Sequence, residues 1–225
     1  MITGGENYFQ RLLKDIVAGR VVMELPLVEK NGDPVGVMRP LTSNHLSSLD
    51  VVEKLTKWRN ANMNNFLTHF EATPERTQNW IQSVVLKSNG QMLWLVYDQN
   101  ENLIGHFGFK NLTPQSVLLD NAIRGERLGH PKLFVLAGRA LVQWLFQTTT
   151  VQRVDGFVMT DNVSAIMMNR EIGFQEWKRR PLTKKTIDGD NHWQMGKEGQ
   201  PSIDDRYCFL ISIERGSGVG LTLLE

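Results

Sequence analysis

The stretch from residue 117 to residue 174 constrains this chain more than any other. It reads as strand, glycine-bearing loop, long amphipathic helix, strand and capped helix. Leu133, Leu136, Ala137, Ala140, Leu141, Trp144 and Leu145 recur at helical spacing and give the long helix one apolar face. Val117–Arg124 and Val154–Thr160 flank it as apolar strands, and Asn162–Ile172 follows as a helix with Asn at its start and Gly173 just past its end. Upstream, Met92–Asp98 and Leu103–Lys110 face each other across the polar turn Gln99–Asn102. Antiparallel strands followed by strands alternating with helices predict one α/β domain, residues 1–215, around a mixed sheet flanked by helices.

The rest of the chain decorates that frame. Phe9, Leu12, Leu13 and Ile16 predict a helix over 6–18, and Val21–Glu29 and Val35–Leu41 predict two strands joined across an Asn-Gly-Asp-Pro turn. Residues 1–34 are therefore an N-terminal helix and strand addition. A helix is predicted over about 45–59. Another begins after Thr73, a good N-cap, with Pro74 first, Glu75 in the first turn and Gly90 at its end. Tyr207–Glu214 closes the sheet. Residues 181–203 are polar and carry Pro181, Gly189, Gly196 and Gly199, which predicts a long excursion, and 216–225 reads as a loose tail.

Composition narrows the function classes. Lys plus Arg is 25 and Asp plus Glu is 24, so the formal charge is +1, which argues against a nucleic-acid surface as the chain's purpose. No apolar run reaches the 18 or so residues of a membrane span, and Met1–Glu6 lacks the basic and apolar regions of a secretory signal. The one cysteine, Cys208, permits neither a disulfide framework nor a cysteine metal cluster. These features predict a cytoplasmic protein with no membrane partner and no metal.

Two motifs carry chemistry. Between strand and long helix lies Arg124-Gly125-Glu126-Arg127-Leu128-Gly129-His130-Pro131-Lys132-Leu133. A loop that ends in a helix N-terminus turns free N–H groups and a positive dipole toward a phosphate, and Arg127, His130 and Lys132 add cations. The second is Asp161 to Phe174, in which a strand ends and a helix starts at Asn162 and closes at Gly173-Phe174.

Residues 35–178 resemble the GNAT superfamily of CoA-dependent N-acyltransferases. The resemblance rests on Met38-Arg39-Pro40-Leu41-Thr42, Trp58-Arg59-Asn60, the hairpin end Ile104-Gly105-His106-Phe107-Gly108-Phe109, the loop, and above all the Asn162-x-x-Ala165…Gly173-Phe174 segment. It implies a partly splayed sheet whose strands Val117–Arg124 and Val154–Thr160 hold the pantetheine of an acyl-CoA co-substrate, acetyl-CoA or longer. Asn121, Ala122, Ile123 and Arg124 would lie along it, with an oxyanion contact from a backbone N–H near Asn121 or Ala122. The family loop usually carries glycines where His130 and Lys132 stand, and Pro131 removes a donor. The phosphate seat is thus expected at Arg127, Gly129, His130, Lys132 and the amides of Leu133 and Phe134. Asn162 and Asn169 complete the cofactor set. Asn169 occupies the position often held by a Tyr that protonates the leaving thiolate, and an amide cannot serve as that acid.

Acyl transfer to an amine also needs a proton sink. Asp120, on the strand beside the expected carbonyl, is the first candidate, His106 the second and Glu71 the third. Arg59 and Asn60 at a helix end, and Trp193 as an aromatic lid in the polar excursion, are the expected acceptor contacts. Trp80 and Trp144 fall on core stripes, and Met167 and Met168 read as packing. The additions and overall build look similar to GNAT enzymes that acylate nucleotide-linked (dTDP- or UDP-) amino sugars for bacterial surface polysaccharides. A ribosomal-type protein N-terminal acetyltransferase shares the same segments, and a non-catalytic acyl-CoA-binding module is a third reading. An acidic acceptor surface would favour a basic peptide; Arg, Lys and aromatic groups would favour a nucleotide diphosphate.

Overall fold

In chain order the elements are α1 (Gly4–Val17), β1 (Leu25–Val28), β2 (Pro34–Pro40), α2 (Leu49–Ala61), β3 (Thr68–His69), α3 (Pro74–Trp80), β4 (Met92–Asp98), β5 (Leu103–Lys110), β6 (Ser116–Arg124), α4 (Leu133–Thr148), β7 (Arg153–Met159), α5 (Val163–Ile172), β8 (Glu176–Ile187), β9 (Asp190–Met195) and β10 (Tyr207–Glu214). They come from a computed structural model that describes residues 4–87, 90–187 and 190–217. The strands form one mixed sheet in the order β1-β2-β4-β5-β6-β7-β10-β8-β9-β3. Every neighbouring pair is antiparallel except β6 and β7, the pair joined through the crossover helix α4.

The central hairpin explains the layering. Alternate residues of a strand point to opposite faces. Met92, Trp94 and Val96 of β4 therefore pack against α1 and α4, where Phe9, Leu13, Ile16 and Trp144 are buried. Leu93 and Leu95 pack on the other face against Val52, Leu55 and Trp58 of α2 and against Ile81 and Val85, which follow α3 as a wider helical turn. Trp144 sits at the middle of the first layer, 5.4 Å from the Trp94 ring and 5.7 Å from Phe9. Strands apolar on both faces sit inside a sandwich of helices, which is why the sequence read so clearly there.

Three boundaries differ from the sequence-based expectation. The strand predicted over 21–29 is confined to β1, and Val22 stands exposed in the lead-in. The helix predicted from residue 45 starts at Leu49. Ser43–Ser47 forms a separate 3₁₀ turn in which His45 Nδ1 accepts the Thr42 N–H at 3.0 Å, and extended Ser48 breaks the two apart. Most of the predicted excursion is sheet: β8 pairs with both β10 and β9, and β9 pairs with β3. Ten of the twelve β8 side chains are exposed or half-buried, so the strand shows little apolar alternation. Gly189 and the tail from residue 218 lie outside the described residues.

The loop after β6 is fastened by one close approach. The N–H groups of Gly125 and Glu126 both reach Ile104 O at 2.9 Å, and Trp58 Nε1 donates to Glu126 Oε1 at 3.0 Å. A Cβ on Gly125 would stand 2.0 Å from the Trp58 indole. Gly125→Ala should therefore cost about 1–3 kcal/mol by overpacking, read as a lower urea midpoint at unchanged m-value. An unchanged midpoint would show that the indole is not fixed there.

Candidate active site

One extra residue in β6 opens the sheet. Gly108 of β5 pairs with Asp120, whereas His106 pairs with Ile123, so two steps along β5 answer to three along β6. Asn121 absorbs the surplus as a bulge with φ of 52°, a left-handed conformation that Asn tolerates better than most residues. β6 and β7 pair only from Ser116–Leu118 to Arg153–Asp155. Beyond that point they part around a cleft of about 690 Å³, whose walls include Ala122, Phe134, Gly156, Phe157, Met168 and Asn169. The β7-facing edge of β6 past Leu118 is thus left without a strand partner, and an extended amide-bearing chain could take that place.

The N-terminus of α4 closes one end of this cleft. Leu133 N–H is taken by His130 O and Leu136 N–H by Lys132 O, each at 3.0 Å. Between them, Phe134 and Val135 line the cleft, and among the described residues no carbonyl ahead of the helix takes their N–H groups. Of the three loop cations only Arg127 lines the cleft. His130 Nε2 is 3.2 Å from Glu29 and Lys132 Nζ is 3.1 Å from Glu171. Gly129, at φ of 74°, packs on Asp98, and Leu133 is wholly buried. Of the residues expected to seat a phosphate, Arg127 and Phe134 line the cleft, whereas Gly129, His130, Lys132 and Leu133 do not. Arg124 also faces the cleft, but its guanidinium is bonded to the carbonyls of Glu126, Leu128, His130 and Pro131, so it shapes the loop. Asn162 lines the far wall while its Oδ1 caps α5 through Ala165 N–H at 3.1 Å, and Asn169 Nδ2 is held by Ala165 O at 2.8 Å. Neither amide supplies a proton.

A second cavity, of about 280 Å³, lies between β6 and the segment that runs from α2 to α3. Phe66, Asp120, Asn121 and Phe157 line both cavities, so the two meet at the bulge. Asp120 Oδ2 accepts from Lys110 Nζ and from Asn121 Nδ2, both at 2.8 Å. His106, on β5, also lines the smaller cavity. Its Nδ1 lies 2.7 Å from Asn121 O, and a carbonyl only accepts, so Nδ1 carries the proton and Nε2 the lone pair. Burial drives the His106 pKa down to about 4, against a lesser opposing pull from that carbonyl and from Asp120. Arg59 stacks on Phe66 with its guanidinium carbon 3.9 Å from the ring centre, donates Nη2 to Thr68 O at 2.5 Å, and keeps Nη1 buried without a partner. The same burial lowers its pKa to about 10.

The remaining expected contacts fall elsewhere. Glu71 is exposed and lines neither cavity. Asn60 braces the chain by a reciprocal pair with the Ala72 backbone, at 2.9 and 2.8 Å. Trp193 is not a lid: it is buried in β9 against Met159, Leu182 and Cys208, with the Arg206 guanidinium 4.5 Å above its ring. Cys208 is buried there too, and its thiol pKa rises to about 11. Sequence reasoning missed Phe66, Phe70, Arg76 and Lys110 as cavity wall. The two phenylalanines stand in a polar stretch with no apolar stripe to join, the same signal that singled out Trp193.

A cleft between diverging parallel strands, with a bulge at its inner end and a helix N-terminus at its mouth, matches a known family. Residues 37–175 match the model of the acetyltransferase (GNAT) domain. The chain belongs to this family. It is accordingly an acyl-CoA-dependent N-acyltransferase. Similar solved GNAT structures include the ribosomal L7/L12 α-N-protein acetyltransferase RimL in complex with coenzyme A, at 12% identity over 85% of this chain and 98% of that one, with a TM-score of 0.59. Spermidine N-acetyltransferase from Vibrio cholerae, in complex with CoA and spermine, aligns at 18% identity over 79% and 94%, with a TM-score of 0.58. Apo FdhC, a nucleotide-linked sugar GNAT, aligns at 15% over 73% and 87%, with a TM-score of 0.51. At these identities the likeness is one of fold. No curated protein matches the chain.

The buried GNAT histidine has a consequence for stability. In the unfolded chain a histidine titrates near 6.5. Folded His106 titrates near 4, so between those values the unfolded state binds more protons and stability falls as pH falls. The contribution is whole above pH 6.5 and lost toward pH 4, at most about 3 kcal/mol by the usual conversion. His106→Gln should flatten that part of the stability-against-pH curve in chemical denaturation. A curve of unchanged slope would mean that His106 titrates alike in the folded and unfolded chain.

Proposed function

We propose that this enzyme moves an acyl group from acyl-CoA to the primary amine of an acceptor bearing negative charge, and that a nucleotide-linked amino sugar is the acceptor of that description. The lining of the smaller cavity carries the reading. Arg59, Arg76 and Lys110 contribute three cations to it, of which Arg76 is paired with Asp190 outside the lining at 3.0 Å; Asp120 is its one carboxylate, and Phe66, Phe70, Trp80 and Phe157 supply aromatic faces. Such walls attract phosphate and stack planar rings. They repel a polyamine or a basic peptide, which would need several carboxylates. At about 280 Å³ the cavity is at the small end for a ligand site, so it takes the amine-bearing end and leaves the rest of a nucleotide at its rim.

In this reading pantetheine pairs with the free edge of β6, and Arg127 with the Phe134 and Val135 amides holds the pyrophosphate. The thioester then reaches the bulge, where a backbone N–H faces its oxygen as charge develops. Asp120 takes the proton from the attacking amine. His106 is the weaker choice, because burial disfavours its protonated form and its Nδ1 is already committed to Asn121. An amine on a sugar ring is less basic than lysine, at about 10.4, so a carboxylate is base enough.

The test is a CoA-release screen that pairs acetyl-CoA and longer acyl-CoAs with dTDP- and UDP-linked amino sugars, polyamines and basic peptides. Turnover should be confined to the nucleotide sugars. Asp120→Asn should lower kcat/KM by about 10²-fold or more, with part of the loss recovered at higher pH. Turnover of peptides or polyamines alone would overturn the acceptor. A rate and pH profile unmoved by Asp120→Asn would overturn the base.

A further inference from the structure

The smaller cavity already contains a primary amine. Lys110 ends β5 at the cavity wall, and its Nζ sits 2.8 Å from Asp120 Oδ2 with the side chain 38% exposed. Asp120 itself is 14% exposed and lines both the acceptor cavity and the cofactor cleft. Among the described residues no other lysine lines either cavity. The ammonium of Lys110 thus rests in the acceptor cavity against the base, and that base, Asp120, is what reaches the cofactor cleft.

We propose that Lys110 is a self-acylation site, modified within its own molecule when acyl-CoA is bound and no acceptor fills the cavity. The proposal rests on the reading of Asp120 as proton acceptor at the thioester. Asp120 takes one proton from the Lys110 ammonium as the amine turns its lone pair to the thioester carbonyl. The C–N bond forms, the C–S bond breaks, and the sulfur leaves with the bonding pair and is protonated to the thiol. The amide nitrogen keeps one hydrogen. Overall, Lys–NH₃⁺ and acyl–S–CoA give Lys–NH–acyl, CoA–SH and one proton. The product lysine is neutral, so Asp120 loses its cationic partner and the acyl group occupies acceptor space. Acceptor and self-acylation therefore compete for one seat.

The experiment is incubation of the full chain with isotope-labelled acetyl-CoA and no added amine, followed by peptide mass spectrometry of every lysine over time. Lys110 should be labelled at least about tenfold faster than exposed lysines such as Lys132 and Lys184, because the reacting groups are held together. Its first-order rate should be independent of protein concentration, and Asp120→Asn, checked by thermal melting for an intact fold, should reduce Lys110 labelling to the level of the surface lysines. Labelling of Lys110 no faster than theirs, or at a rate that rises with protein concentration, would overturn the proposal. If CoA release from an added amine proceeds while Lys110 stays unlabelled, self-acylation fails and the acyl-transfer reading stands. If acetyl-CoA gives neither turnover nor a thermal shift, both fail.

Discussion

The bulge at Asn121 is the constraint on which the rest of the site depends. A regular β6 would pair with β7 along its whole length and leave no gap in the sheet. One surplus residue turns the strand, ends the pairing after Leu118 and opens the cleft. The same bend brings Asn121 O to His106 and sets Asp120 where the two cavities meet. Burial of His106 keeps the ring neutral and its Nδ1–H committed, so the histidine works as a fastener of the bulge. A strained backbone residue held by a buried hydrogen bond is a common way for a fold to fix a reacting group.

The two cavities are built by different parts of the chain. The cleft comes from the β6, α4, β7 and α5 crossover, whose helices are pinned to the sheet by close contacts such as Gly138 on Ile172, where an added Cβ would meet the isoleucine at 2.3 Å. One wall of the smaller cavity comes from the segment between α2 and α3, and that segment is held from outside. Trp193 N–H donates to Leu67 O, Arg206 reaches Asn64 O at 2.7 Å, and β3 pairs with β9. The β8–β9 hairpin is thus a buttress behind that wall.

How much of this the residues revealed in advance follows from where the apolar surface lies. The β4–β5 hairpin, β6, α4, β7, α5 and β10 were legible to within a residue or two, because each buries a face in one of the two layers. The β8–β9 hairpin was not, because its side chains are largely wet and its strands exist through pairing with distant β10 and β3. At the site, Asp120, Asn121, Arg59 and Arg127 could be named from their place in the chain. His130 and Lys132 misled for the same reason that a charge run often does. Their partners, Glu29 and Glu171, are remote in sequence, and only the fold brings them close. Lys110 gave no signal at all, since its meaning lies in the Asp120 opposite.

The central claim is that the free edge of β6 receives the cofactor. Amide hydrogen exchange with and without saturating CoA tests it most directly. Binding should slow exchange in residues 121–124 on β6 and in Phe134 and Val135 at the start of α4, and leave β8 and β9 unchanged. Protection confined to β8–β9 or to α1, with those amides unaffected, would contradict the account.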